Sequence, residues 1–298
     1  AVYERSVVYA RERVQGNDIL AGKDAKVEPV TIIHHPDIRR KLMWMKAHVE
    51  GLRAMCYFIA FCMDQAKTSR NDEEKKKWNG YVDLLIPVVK SYSTDKALLI
   101  CSMAMDIFGG YGYCSEYPIE QYLRDVKIGA IYEGTNGIQA IDLIGRKLKQ
   151  RNGQNLKNLF DDISSGVARA KVRADLVKAA TILEEATDAC FDLVNFLIQA
   201  SKEDIVTAYL NASSFLELFG DVVVGHFLLE AARIATEKLQ VIYEAVEADT
   251  MKKQSSLCHE DKEATFYKGK IAACRFFAAN VLTSVKARCE GIKLRDKS

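Results

Sequence analysis

The 298-residue sequence predicts an all-α protein, an up-down helical bundle followed by a second helical bundle. Three observations carry that expectation. Four prolines occur, Pro29, Pro36, Pro87 and Pro118, so long stretches run free of the strongest helix breaker. Those stretches are rich in Ala, Leu, Glu and Lys, which favour helix. Their apolar residues return at steps of three and four, the spacing of one helix face, and no alternating apolar run bounded by turns demands a sheet.

Residues 1–16, AVYERSVVYARERVQG, are in helical register from the first position, with Val2, Val7 and Ala10 on one face. The helix is expected to run to about Glu12, with Gly16 and Asn17 stopping it. It has no initiator Met and no Ser, Thr, Asp or Asn cap, so residue 1 is expected to lie inside a helix of a longer protein. A polar loop through Gly22 and Pro29 follows. Pro36, behind His34 and His35, then opens a long helix with Leu42, Met45, Val49, Leu52, Cys56, Ile59 and Met63 on one face. The charged run 70–77 reads as a connection or as the start of the next helix, expected over 78–108 with Pro87 tolerated or kinking it. A glycine-rich stretch ends that helix, a short helix follows Pro118, and residues 136–149 close the first half. RNGQN at 151–155 is the expected boundary, dividing 1–150 from 151–298. Beyond it, helices are expected over 156–200, 203–219, 221–252 and 259–290. Ser201 with Asp204, and Gly220 with Asp221, mark junctions of an antiparallel bundle, and the last eight residues are expected to fray.

The charge balance excludes one class of partner. Forty-two basic and 40 acidic residues give +2; through residue 150 the count is 22 minus 19, or +3, and after it 20 minus 21, or −1. No segment carries the basic stripe that a phosphate backbone needs, so nucleic acid is not expected as a partner. The eight cysteines are scattered without a C-x-x-C pair, which fits reduced thiols in a cytoplasmic setting. No signal-peptide pattern and no uninterrupted apolar span of about 20 residues stands out, and no membrane contact is expected. The five histidines lie far apart, so no metal site is expected, and no G-x-S-x-G, Walker or G-x-G-x-x-G sequence occurs.

Chemistry concentrates in residues 106–139, DIFGGYGYCSEYPIEQYLRDVKIGAIYEGTNGIQ. Glu133 stands between a tyrosine and Gly-Thr, just before a helix start. Apolar neighbours there would desolvate it and make it a stronger general base. The alternative reading, which composition alone favours, is an acid near a helix N-terminus, held by the macrodipole. The glycines of FGGYGY could admit backbone N–H groups to a pyrophosphate, or could end a helix and turn the chain. Arg124 and Asp125 could pair to fix the loop.

At FGGYGY, EYPIEQYLRD, KIGAIYEGTNGIQ and YARERVQG the sequence resembles the C-terminal helical domain of the acyl-CoA dehydrogenases, over about residues 1–148. The continuation IYEGTNGIQAIDLIGRKL, followed by further helices, resembles the bacterial branch with a C-terminal extension, which includes the 3-methylmercaptopropionyl-CoA dehydrogenases. The resemblance implies a flavoenzyme that desaturates an acyl-CoA thioester, Glu133 taking the α-proton while FAD takes the β-hydride, with electrons passed to an electron-transfer flavoprotein. It implies Tyr132 and Gly134 as substrate-lining residues. It implies that Arg13, Gln15, His35, Asp106, Ile107, Phe108, Gly109, Gly110, Thr135, Asn136 and Gly137 contact FAD, the first eight chiefly FAD of a neighbouring subunit in a dimer or tetramer. Asp106 stands where many members have Gln, and an acid facing a phosphate would repel it; Gly137 stands where a second Gln is common. The family's N-terminal helical and middle β domains have no counterpart here, so the chain alone is expected to be inactive. A non-catalytic helical oligomerisation module is the alternative reading.

Overall fold

The computed structural model describes residues 1–19 and 28–294. The loop expected through Gly22 therefore lies largely outside the described residues. By packing the chain forms two compact units: residues 1–49 with 93–135, and residues 50–92 with 136–298.

Helix α1 (Val2–Glu12) ends one residue before Arg13, whose backbone is extended (φ −72°, ψ 114°). Two short strands, β1 (Val14–Asn17) and β2 (Pro29–Thr31), then pair antiparallel, Val14 opposite Thr31. No local pattern points to this ribbon, because Gly16 and Asn17 read as turn residues. A 3₁₀ turn (Ile32–His34) leads to α2 (Pro36–Thr68), where Pro36 takes a first-turn position that needs no N–H donor. Helix α3 (Asp72–Phe108) begins within the charged run, with Asp72, Glu73 and Glu74 at its positive end and Asn71 Oδ1 accepting from the Glu73 N–H at 2.8 Å. Pro87 stays inside it.

Four residues of helix, α4 (Gly110–Tyr113), and α5 (Ile119–Lys127) follow, then a 3₁₀ turn (Ile128–Ala130) and α6 (Asn136–Gly145). Helix α6 stops four residues before the expected 149. A 3₁₀ segment (Lys147–Gly153) replaces its end, with Arg151, Asn152 and Gly153 all at positive φ. Within α5, Arg124 lies 3.9 Å from Glu120, one turn away, so Asp125 is not its partner.

The second unit departs more from expectation. The segment expected as one helix over 156–200 is two, α7 (Gln154–Lys171) and α8 (Val177–Glu203). Of the junction expected at Ser201 and Asp204, Ser201 lies inside α8 and Asp204 alone stands between helices, its carboxylate capping α9 (Ile205–Leu210) by accepting from the Val206 N–H at 3.0 Å. The junction at Gly220 and Asp221 does not exist. Both residues are buried inside α10 (Ala212–Ala245), which runs unbroken for 34 residues. Glycine serves close approach there: a Cβ at 220 would overlap the ring of Tyr92. The fully buried Asp221 accepts from Tyr92 Oη at 2.7 Å and from Arg288 Nη1 at 3.1 Å, so it has partners in the core instead of a turn at the surface. Helix α11 (Met251–Glu260) fills most of the connection expected before residue 259, and α12 (Lys262–Asn280) and α13 (Val285–Lys293) divide the last expected helix, with Asp261 capping α12 through the Ala264 N–H at 2.7 Å. Residues 291–293 are helical where fraying was expected.

Helix α10 packs against α6, α7, α8 and α12. It is long and apolar enough to cross a membrane by composition, with mean hydropathy 1.4 over an 18-residue window, and 78% of that window is buried inside the protein. That burial is the signature of a central core helix. Phe215, Phe219 and Phe277 are fully buried there, each worth roughly 1.5–3 kcal/mol of transfer free energy.

Replacing Gly220 by Ala forces Tyr92 to move, so it is expected to cost about 1–3 kcal/mol and lower the unfolding midpoint by several degrees in thermal denaturation. His226 gives a pH effect. It is buried with Nδ1 unpartnered; burial pulls its pKa below the ordinary 6.5, against the opposing charges of Glu230 and Asp162. The unfolded chain then takes up the proton first. Stability is full above pH 6.5 and falls as the pH drops from 6.5 towards the lower native value, and His226→Gln is expected to flatten that part of a stability-against-pH curve.

Candidate functional site

Eight of the residues expected to contact a cofactor line one open cavity of about 810 Å³: Arg13, Gln15, His35, Asp106, Ile107, Phe108, Gly109 and Gly110. They come from three separate parts of the chain, and the local structure explains their meeting. The ribbon turns Gln15 back towards the start of α2, where His35 Nε2 lies 2.6 Å from the Gln15 carbonyl oxygen, which fixes the ring proton on Nε2 as the donor. The Ile32 N–H donates to the Arg13 carbonyl at 2.8 Å, tying the 3₁₀ turn to the end of α1. Tyr9 stacks on Phe108 with ring centroids 4.0 Å apart, holding α1 against the end of α3.

Three features bear on what the cavity can hold. Arg13 has its guanidinium 5.2 Å from the centroid of the Tyr111 ring, and among the described residues no carboxylate pairs with it. Gly109 has φ 61° and ψ −143°, a region close to glycine-only, and a Cβ at Gly109 or Gly110 would meet nothing within 4 Å. This wall is therefore bare backbone facing open space. Asp106 is paired, Oδ2 lying 3.2 Å from Lys41 Nζ. Burial pulls the Lys41 pKa down, but hydrogen bonds to Asp37 and Asp106 outweigh it, and the net displacement is upward. The repulsion expected from an acid in this position is thus offset by a cation that sequence reading passed over, although its spacing of four from Asp37 was visible. Tyr9, Gly16, Ile32, Ile38, Tyr111 and Cys114 also line the cavity and were not anticipated.

The residues expected to meet the substrate lie elsewhere in the same unit. Residues 131–135 form an exposed turn between the 3₁₀ segment and α6. Glu133 is at φ 52° and Gly134 at φ 86°, two consecutive left-handed residues. The expected desolvation of Glu133 by its sequence neighbours is not found: Ile131 and Tyr132 are themselves 52% and 51% exposed, so they cover nothing. The Glu133 N–H has no acceptor among the described residues. Asn136 turns inward, Oδ1 accepting from Lys90 Nζ at 2.9 Å and Nδ2 donating to the Ser91 carbonyl at 3.2 Å, which anchors the start of α6 on α3. Thr135 and Gly137 are exposed.

Among the described residues the chain is helical apart from one short ribbon, the fold class of a helical domain with a glycine-walled cavity, and comparison gives the family. Residues 1–149 match the family described as acyl-CoA dehydrogenase, C-terminal domain, and residues 159–298 match acetyl-CoA dehydrogenase C-terminal like. The chain belongs to the acyl-CoA dehydrogenase family. It is 35% identical to the broad-specificity linear acyl-CoA dehydrogenase FadE5 of Mycobacterium tuberculosis, over 99% of this chain and 47% of that protein. It is 30% identical to the 3-methylmercaptopropionyl-CoA dehydrogenase of Ruegeria pomeroyi, over 96% of this chain and 45% of the relative, so the expected branch is present among its relatives. The chain spans about half the length of the curated relatives it matches. The structure of Caenorhabditis elegans ACDH-11 in complex with C11-CoA shares the fold at TM-score 0.70 and 15% identity, covering 97% of this chain and 43% of that one. An acyl-CoA dehydrogenase from Bacillus anthracis complexed with FAD does so at TM-score 0.61 and 17% identity, covering 98% and 45%.

The two neighbouring glycines should separate in stability measurements. Gly109→Ala is expected to cost about 1–3 kcal/mol through its positive φ. Gly110→Ala places its Cβ more than 4 Å from the packing atoms of the described residues and should change urea unfolding by less than about 0.5 kcal/mol.

Proposed function

We propose that this chain forms the C-terminal part of a FAD-dependent acyl-CoA dehydrogenase, with Glu133 as the base that takes the α-proton of an acyl-CoA thioester. The observation that carries the reading is the turn itself. A glutamate in the left-handed region is costly backbone, eased only by the glycine that follows it, and here it presents a carboxylate and an unpartnered N–H together. The N–H suits the thioester carbonyl oxygen, where negative charge grows as the α C–H bond breaks, and the carboxylate receives the proton. The exposed Ile128, Ile131 and Tyr132 around it are apolar surface of the kind another domain covers, and the chain's span of about half its relatives' length supports such a domain in the whole protein.

The cavity fits a cofactor of the flavin dinucleotide class. Arg13 offers an uncommitted cation, Gly109 and Gly110 a wall that backbone-close groups can approach, and His35 and Gln15 a fixed polar edge. Bound FAD supplies the acceptor for the β-hydride, leaving a double bond between the α and β carbons. Thr135 and Gly137 are read as further contacts on the flavin side, and Tyr132 and Gly134 as substrate contacts. Electrons would pass on to an electron-transfer flavoprotein. Exposed Tyr57 and Phe61, one turn apart on α2, support a homo-oligomer.

The test uses the full-length protein. Acyl-CoA added without oxygen should bleach the flavin absorbance, and Glu133→Gln should keep FAD while slowing bleaching by about 100-fold or more. Undiminished bleaching in that variant would refute the assigned base, and a full-length protein without flavin would refute the reading as a whole.

A further inference from the structure

The cavity that carries Arg13 also carries an acid. Asp106 lines it with its side chain 55% exposed, and an uncancelled carboxylate there would oppose any anion that Arg13 draws in. Lys41 Nζ lies 3.2 Å from Asp106 Oδ2 and 3.2 Å from Asp37 Oδ2, with its own side chain 18% exposed. Asp37 is shared in turn with Arg40 at 2.8 Å. Arg40, Asp37, Lys41 and Asp106 thus alternate in sign and sum to zero, and the row ends at the cavity wall. Arg13, with no carboxylate partner among the described residues, is left to give the wall its net positive sign. Asp106 Oδ1 makes no hydrogen bond among the described residues and remains an acceptor.

We propose, resting on the flavin-dependent reading above, that Lys41 is a positioning residue for the cofactor: it cancels the charge of Asp106 and holds Oδ2, so that the wall tolerates a diphosphate while Oδ1 receives a hydroxyl. The ligand chemistry that satisfies both ends is a sugar-bearing diphosphate, with anionic oxygens for the Arg13 guanidinium and a hydroxyl donor for Asp106. Lys41 lies on α2, outside the glycine-rich stretch and among charged residues at its start. Its partner, 65 positions later, closes the circuit.

The experiment measures FAD dissociation constants of the full-length protein and its variants by flavin fluorescence, at low and high salt. Lys41→Gln should weaken FAD about tenfold at low salt, and the loss should shrink near 1 M salt, where the screening length is about 3 Å. Adding Asp106→Asn to Lys41→Gln should restore affinity to within about threefold, because the uncancelled charge is gone. Lys41→Arg should stay near wild type. Asp106→Asn alone leaves the row of Arg40, Asp37 and Lys41 with a net positive charge and should tighten FAD at low salt, which keeps the test open should Lys41→Gln fail to fold. Equal affinity in wild type and Lys41→Gln, no restoration in the double variant, or weakening by Asp106→Asn overturns the proposal while the flavin reading stands. A wild-type full-length protein without affinity for FAD overturns both.

Discussion

A carboxylate with no exposed surface dictates much of the second unit. Asp221 sits in the middle of α10, and an ionised group there costs several kcal/mol unless charge and hydrogen bonds meet it. Tyr92 and Arg288 meet it, and Arg288 also reaches Glu217 at 2.6 Å, so α3, α10 and α13 are tied through one polar centre. Burial and the charge of Asp221 both push the Tyr92 phenol up, which keeps it a proton donor in this network. The adjoining Gly220 lets the Tyr92 ring lie against the α10 backbone. An apolar helix could slide along its neighbours; one that carries this charge has a single register in which the charge is satisfied.

The first unit is organised by backbone conformation instead of buried charge. Its candidate cavity is walled by glycine in one place and propped by stacked rings in another, with Tyr117 edge-on to both Tyr9 and Phe108. Its candidate base stands on a turn whose two left-handed residues nothing in the described chain covers. The polar groups of the cavity are largely committed to one another: His35 to Gln15, Asp106 to Lys41. Arg13 has no carboxylate partner among the described residues, and the sign of its charge narrows what could enter.

How far the sequence could be read depended on whether the signal was local. Helix periodicity foretold α1, α2 and α3, since Leu42, Met45 and Ile59 recur on a face that is buried. The glycines of 109 and 110 stood out because a helix does not tolerate them without reason, and family resemblance joined them to Arg13, Gln15 and His35 across some 95 residues. Gly220 misled for the same reason: a glycine beside an aspartate is a turn signal by local rules, and only a ring arriving from residue 92 explains it otherwise. The pair of Lys41 and Asp106 was equally out of reach, because two charges in separate segments carry no mark of their meeting. Glu133 is conspicuous in the sequence but its surroundings are not, since the apolar side chains beside it face outward.

The apolar sweep of α10 has a consequence for synthesis. On its way out of the ribosome this segment has the composition of a membrane anchor, and what hides it in the finished fold arrives in two instalments. Helices α6, α7 and α8 precede it and can shelter part of its circumference at once, whereas α12 and α13 have yet to be translated. Until those two helices are made, a greasy flank of α10 stays uncovered.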